Sequence, residues 1–184
     1  MLAMSDTPID QFIPCFAKAS VPVAFLVPTP TGYEKSIMDA TAPMRHLLLD
    51  AQVHNYEDQG QGPNNKVMIP AHFVNCNDVT DSVASLYRPV TKKGDPRIWF
   101  SNLRKYCLPC NLLAIIVINR ELYVFNLSKP EVAAGIRYDG FAASIIEEAS
   151  HQERAVAEEL LGKLRIIHRQ GFLRSITPGD PGVG

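Results

Sequence analysis

Charge of one sign is what this sequence conspicuously lacks. Its 18 Lys and Arg stand against 19 Asp and Glu, for a formal net charge of −1 and a pI near 6.5. That balance excludes a generic nucleic-acid coat protein, so any contact with a polyanion has to come from segregated charge. Long apolar runs are missing as well. The longest, Leu112 to Ile118, is far too short to cross a bilayer, which takes ~20 residues. The N-terminus has no basic leader, and Met1 to Ser20 is interrupted by Pro8 and Pro14, so nothing resembles a signal peptide. Cysteine is scarce: Cys15, Cys76, Cys107 and Cys110 make no disulfide framework in a chain of 184 residues. These absences lead to the expectation of a cytoplasmic protein with no membrane contact. What remains, 46% hydrophobic and 20% charged residues, describes an ordinary globular domain with room for a core.

The charge that is present is unevenly placed. Arg88, Lys92, Lys93, Arg97, Arg104 and Lys105 face a single acid, Asp95, for a local charge of +5. Tyr87, Trp99 (the only Trp), Phe100 and Tyr106 are interleaved with these cations. Further on, Asp139, Glu147, Glu148, Glu153, Glu158 and Glu159 are balanced only by Arg154. A basic loop rimmed by aromatics suits a polyanion, of which nucleic acid is the commonest. The plainer alternative is a solvated loop beside a core strand, with Trp99 in the core between Ile98 and Phe100.

Met1 to Ser20 reads as a loosely packed lead-in. Val21 to Val27 is an apolar run suited to a strand, closed by the Pro28–Gly32 loop. Tyr33 to Gln52 has helical spacing at Ile37, Met38, Met44, Leu47, Leu48 and Ala51. Pro43 must either kink that helix or open a second one capped by Thr41. Lys35, near the helix start, suits a phosphate or a solvated ion pair with Glu34 or Asp39. Val53 to Lys66 is a loop in which Gln59, Gln61, Asn64 and Asn65 are residue types that read adenine edges. Gly60 and Gly62 there permit close backbone approach; the alternative is a polar turn. Val67 to Asn75 is a strand whose Pro70 predicts an edge position or a bulge. Val79 to Val90 and Arg97 to Phe100 form a strand pair joined by a Lys-Lys-Gly tip, a projecting ribbon of the kind that enters a major groove. Ser101 caps a short helix to Tyr106. Leu112 to Ile118, nearly all apolar and therefore central, pairs with Glu121 to Leu127 around Asn119-Arg120. Phe141 to Gln170 is helical, ended by Gly171.

Chemistry is harder to find. Cys107-Leu-Pro-Cys110 is the one redox-like motif, but Cys107 falls at the end of a short helix, where the dipole opposes a thiolate. A zinc site would need matched spacing, and His54, His72, Cys15 and Cys76 are scattered. Lys92 and Lys93 lack the upstream acid that a metal-dependent nuclease places beside its lysine, and Asp95 and Glu121 lack a following lysine. His46, His54, His72, His151 and His168 have no spaced nucleophile. The chain reads as a binding module, with no catalytic and no metal-binding residues. Two other classes stay open: a thiol-dependent enzyme using Cys107 and Cys110, and a protein-interaction module using the amphipathic C-terminal helix.

The order of strand, helix, strands with a basic turn, short helix and apolar hairpin over Val21 to Leu127 resembles the B3-like pseudobarrel of plant transcription factors and of EcoRII-type effector domains. The tail, Gly171-Phe-Leu-Arg-Ser-Ile-Thr-Pro-Gly-Asp-Pro-Gly-Val-Gly184, is similar to the opening of the MvaI/BcnI-type nuclease domain. The resemblance implies an α+β, mostly β fold: a lead-in over 1–20, a B3-like DNA-binding pseudobarrel over 21–135, a helical segment over 136–170, and a linker over 171–184. It implies the DNA-reading effector domain of a Type II restriction endonuclease acting on a CCWGG-type site in double-stranded DNA. The nuclease, with its carboxylates, lysine and Mg²⁺, would then lie beyond Gly184. This domain itself would need no cofactor and no small-molecule substrate, and would be a monomer. Two arms grip the duplex in that family; by position they are Pro28–Lys35, with the amide loop Gln59–Lys66, and Arg88–Trp99. Arg88, Arg97, Asn64, Asn65, Gln61 and Asp95 are expected to read bases. Lys35, Lys66, Lys92, Lys93, Arg104, Asn102, Thr31 and Tyr33 are expected to hold phosphates.

Overall fold

The structure, a computed structural model, describes residues 8–152. Among these residues the chain is α+β, with a single seven-stranded sheet curled into a half-barrel and six α-helices. The strands are β1 (Ala24–Leu26), β2 (Met38–Asp39), β3 (Val67–Val74), β4 (Val79–Tyr87), β5 (Arg97–Phe100), β6 (Leu113–Ile118) and β7 (Glu121–Asn126). Their order across the sheet is β1-β6-β7-β3-β4-β5-β2. Every pairing is antiparallel except β3 with β7. The helices are α1 (Pro8–Ala19), α2 (Pro30–Lys35), α3 (Ala42–Asp50), α4 (Leu103–Tyr106), α5 (Pro130–Arg137) and α6 (141–152).

The apolar arm is central, as its composition requires: β6 lies between β1 and β7 and is buried on both faces. Leu113 and Ile115 face a core shared with Met44, Leu47 and Leu48 of α3 and with Leu103 and Tyr106 of α4. Ala114, Ile116 and Ile118 face the other way, onto Phe12 and Phe16 of α1, Val132 and Ile136 of α5, and Ile145 and Ile146 of α6. Asn119 and Arg120 both take left-handed φ (52° and 65°), the two-residue turn that suits the twist of a hairpin.

Several expectations are corrected. The lead-in is not loose: α1 is a regular helix that buries Phe12 and Phe16 one turn apart. Pro8 is its first residue, where a missing N–H breaks no helical bond. Pro14 lies on the exposed side of the helix, where its ring does not disturb the buried face. The helix expected over Tyr33 to Gln52 is two helices with a strand between them. α2 begins earlier, at Pro30, with the Thr29 hydroxyl accepting from the Gly32 N–H. Ser36 ends it in the left-handed region (φ 55°), and β2 follows. Thr41 does stand at the N-cap position of α3, with Pro43 in its first turn, but its side chain makes no capping bond. Ser101 is not the cap of α4; Asn102 occupies that position with φ 63°, and the Ser101 N–H bonds the Val83 carbonyl. β3 is an interior strand despite Pro70. Its pairing to β7 begins only at Ala71, so Pro70 sits where the strand is bonded on one side alone. α5, unforeseen in the sequence, bridges the hairpin to α6. The predicted helix over Phe141 to Gln170 is present as far as 152; its remainder, Gly171 and the nuclease-like tail lie outside the described residues.

Candidate nucleic-acid interface

The two segments expected to be arms meet at one groove. It has a volume of about 520 Å³ and is lined by both edge strands of the half-barrel, β1 through Phe25 and Leu26 and β2 through Met38 and Asp39. Thr29, Thr31, Gly32 and Lys35 of the first arm line it, as do Pro89, Thr91, Lys92 and Arg97 of the second. Its lining is mostly apolar, and carries Lys35, Lys92 and Arg97 against the single carboxylate of Asp39. Lys35 and Lys92 are exposed. The Arg97 side chain is largely buried, 15% exposed, and bridged through Nη1 to Asp39, its direct cross-strand partner. The sequence offered Asp39 only as a partner for Lys35; its pairing with Arg97 comes from the β2–β5 register, which sequence spacing does not reveal.

The basic turn is not a projecting ribbon. Strand pairing ends at Tyr87 and Arg97, and the connection folds back onto the amide loop. Arg88 Nε donates to the Gly94 carbonyl at 2.9 Å, and Nη1 donates to the carbonyls of Tyr56 and Gln59, each at 3.1 Å. Gln61 packs against Gly94, and Asn65 Nδ2 donates to the Gln61 carbonyl at 2.8 Å. Asn64, Lys93 and Asp95 are exposed on the same unit. Lys66 Nζ lies 5.2 Å from the centre of the Tyr87 ring.

Other expected phosphate contacts have roles inside the fold. Arg104 donates from Nε to the Tyr33 carbonyl at 3.2 Å and from Nη2 to the carbonyls of Tyr33 and Glu34, satisfying the end of α2. Tyr33 in turn donates its hydroxyl to the Cys107 carbonyl at 3.0 Å, and its ring meets Trp99 edge-on at 6.5 Å. Trp99 is partly buried against the core. Asn102 is exposed at the head of α4. Thus Lys35, Thr31, Lys92 and Arg97 are brought to one groove. Gln61, Asn64, Asn65, Lys93 and Asp95 form an adjoining loop unit, and Arg104, Tyr33 and Asn102 belong to the α2–α4 corner. The exposed Glu147 and Glu148 lie on α6, across the sheet from α3 and α4.

Burial pushes the Cys107 thiol up to about 11, which disfavours the thiolate, while Cys110 is exposed. Among the described residues no group of three or more His, Cys, Asp and Glu is placed to hold a metal ion. No helix among them is long and apolar enough to cross a membrane. His72, considered above only as a scattered ligand, instead ties three strands together. Its Nδ1 is 2.9 Å from Asp81 on β4, and its Nε2 is 2.8 Å from Glu121 on β7. Comparison of the chain with protein-family models, curated proteins and solved structures finds no match.

Proposed function

We propose that the chain reads double-stranded DNA in a sequence-specific way, as the effector domain of a Type II restriction endonuclease whose half-barrel is of the B3-like kind. One observation carries this reading. Pro28–Lys35 and Arg88–Trp99, far apart in sequence, flank a single groove whose lining carries Lys35, Lys92 and Arg97. Phosphates meet Lys35, Lys92 and Lys93, which supply salt-sensitive affinity. Bases meet Arg97 and the exposed amides of the adjoining loop, Asn64 foremost. The chain acts without a cofactor of its own, as a cytoplasmic monomer.

The test is a gel-shift titration comparing a short duplex carrying CCWGG with a scrambled duplex at two salt concentrations. A strong preference for CCWGG supports both the reading role and the target. Equal, salt-sensitive binding retains DNA as the partner and rejects that target. Binding to neither duplex removes DNA and turns attention to a protein partner for the amphipathic C-terminal segment.

A further inference from the structure

We propose that Arg88 is a positioning residue that, together with Gln59, fuses the amide loop 59–66 and the basic turn 91–96 into one rigid reading element. Its purpose rests on the DNA-binding reading above; its geometry does not.

The two loops belong to different parts of the chain, yet Arg88 is bonded to both. Its Nε holds the Gly94 carbonyl of the basic turn, and its Nη1 holds the Tyr56 and Gln59 carbonyls at the root of the amide loop. Its own carbonyl accepts from the Gly62 N–H at 2.8 Å. A planar guanidinium suits this three-way grip, which the single ammonium of lysine cannot reproduce. Gln59 closes the other side. Its buried carboxamide donates from Nε2 to the carbonyls of Asn65 and Leu86, each at 2.8 Å. With both Nε2 hydrogens used, Oε1 faces His54 Nε2 at 3.0 Å as the acceptor, so His54 carries its proton on that nitrogen. Burial lowers the His54 pKa, against the smaller opposing effect of the Gln59 bond, which favours this neutral form.

Close approach completes the unit. A Cβ on Gly94 would lie 2.3 Å from Gln61 Nε2, and Gly94 has φ +71°, so a side chain there strains the turn and must push Gln61 aside. Asn64, Lys92, Lys93 and Asp95 therefore project from a single body. Folding has already ordered their loops, and binding need not bear that entropy again. The Arg88 N–H groups named here are committed to carbonyls. Its contribution to specificity is to set where the exposed side chains stand.

Arg88→Lys is the variant that tests this, read first by amide hydrogen exchange on the free protein. Exchange at Gly62 and Gly94 is expected to rise together by roughly tenfold or more, with the β6–β7 amides unchanged as the internal control. A response in only one loop, or in neither, overturns the fusion. If Arg88→Lys fails to fold, Gly94→Ala replaces it, with the same joint loosening expected. The second reading is the preference for the CCWGG over the scrambled duplex, which Arg88→Lys should erode alongside the faster exchange. Eroded preference with unchanged exchange makes Arg88 a direct base reader and also overturns the proposal. If the wild-type chain binds neither duplex, the DNA reading fails, while the exchange result still decides whether the loops are fused.

Discussion

The backbone N–H of Asn126 donates to the Tyr106 hydroxyl at 2.8 Å, and that hydroxyl shares its one proton between the carbonyls of Val74 and Val124, at 2.6 and 3.1 Å. Val74 ends β3 and Val124 lies in β7, so a residue of the short α4 locks the one parallel pairing of the sheet. The Tyr106 ring stacks on Phe73 at 4.5 Å and 11°. Asn126, itself fully buried, donates its amide to Asn111 Oδ1 at 3.0 Å and accepts from the Ser128 N–H at 3.0 Å. Tyr106→Phe keeps the stack and removes only the hydroxyl. It should lower unfolding free energy by ~1–3 kcal/mol, because the Asn126 N–H is left buried without a partner. Urea denaturation checks this: the midpoint should fall with the slope unchanged, and an unaltered midpoint would show that water replaces the hydroxyl.

The N-terminal helix is an integral part of the fold. Phe16 is 1% exposed and meets Phe25 and Phe125 edge-on at 6.1 and 6.2 Å. Phe16→Ala should destabilise the protein by about 3–5 kcal/mol, the range for emptying a buried phenylalanine site. The exposed neighbour Ile13→Ala should cost little. Thermal or urea unfolding of both variants decides it; equal small effects would return this segment to the status of a loose lead-in.

These two regions show what the sequence discloses and where it stops. β6 and β7 are legible because an apolar run and a two-residue turn leave few alternatives. β3 and β4 follow from alternation, with Ala84 and Leu86 buried as their period requires. α1 was hidden by its prolines, whose effect depends on which face they occupy. β2 was hidden because Ile37 and Met38 happen to continue a helical spacing that Ser36 breaks by turning left-handed. The basic cluster was legible as charge, but charge does not say where a donor is aimed. Arg88 and Arg104 look in sequence like Lys92, yet the guanidinium groups of both hold backbone carbonyls. The Arg97–Asp39 pair depends on strand register, which composition cannot supply.

Cys107 and Cys110 should behave oppositely toward an alkylating reagent. Cys110 is exposed and should react in the native protein, whereas Cys107 is buried and should react only on unfolding. Burial raises the Cys107 pKa from 9.0 to about 11, so the folded state favours the protonated thiol. That contribution to stability is complete below pH 9 and is lost as pH rises toward 11. Buried Tyr56 and Tyr106, whose phenols are also shifted upward, act in the same direction. The informative quantity is therefore the difference between wild type and Cys107→Ala, which should lose less stability over that interval. Rapid native labelling of Cys107 at neutral pH would contradict its burial and revive the thiol-enzyme alternative.

On the DNA-binding reading proposed above, Lys92, Lys93 and Arg97 would divide affinity from selectivity. Lys92 and Lys93 are exposed, and Lys92 also lines the groove. If they meet phosphates, Lys92→Ala/Lys93→Ala should weaken target and scrambled duplexes alike and flatten the dependence of log K on log salt by roughly one unit per lysine. Arg97 differs because Asp39 orients its guanidinium in the groove lining. A guanidinium forked onto a guanine edge discriminates by ~1–3 kcal/mol, so Arg97→Ala should depress target binding by that much more than scrambled binding. Asp39→Asn keeps the cation but weakens its tether, and should fall between wild type and Arg97→Ala in preference. Titrations of the three variants on both duplexes at two salt concentrations give all of these quantities. An equal loss on both duplexes for Arg97→Ala would make it a phosphate contact. An unchanged salt slope for the double lysine variant would take the basic turn out of the interface.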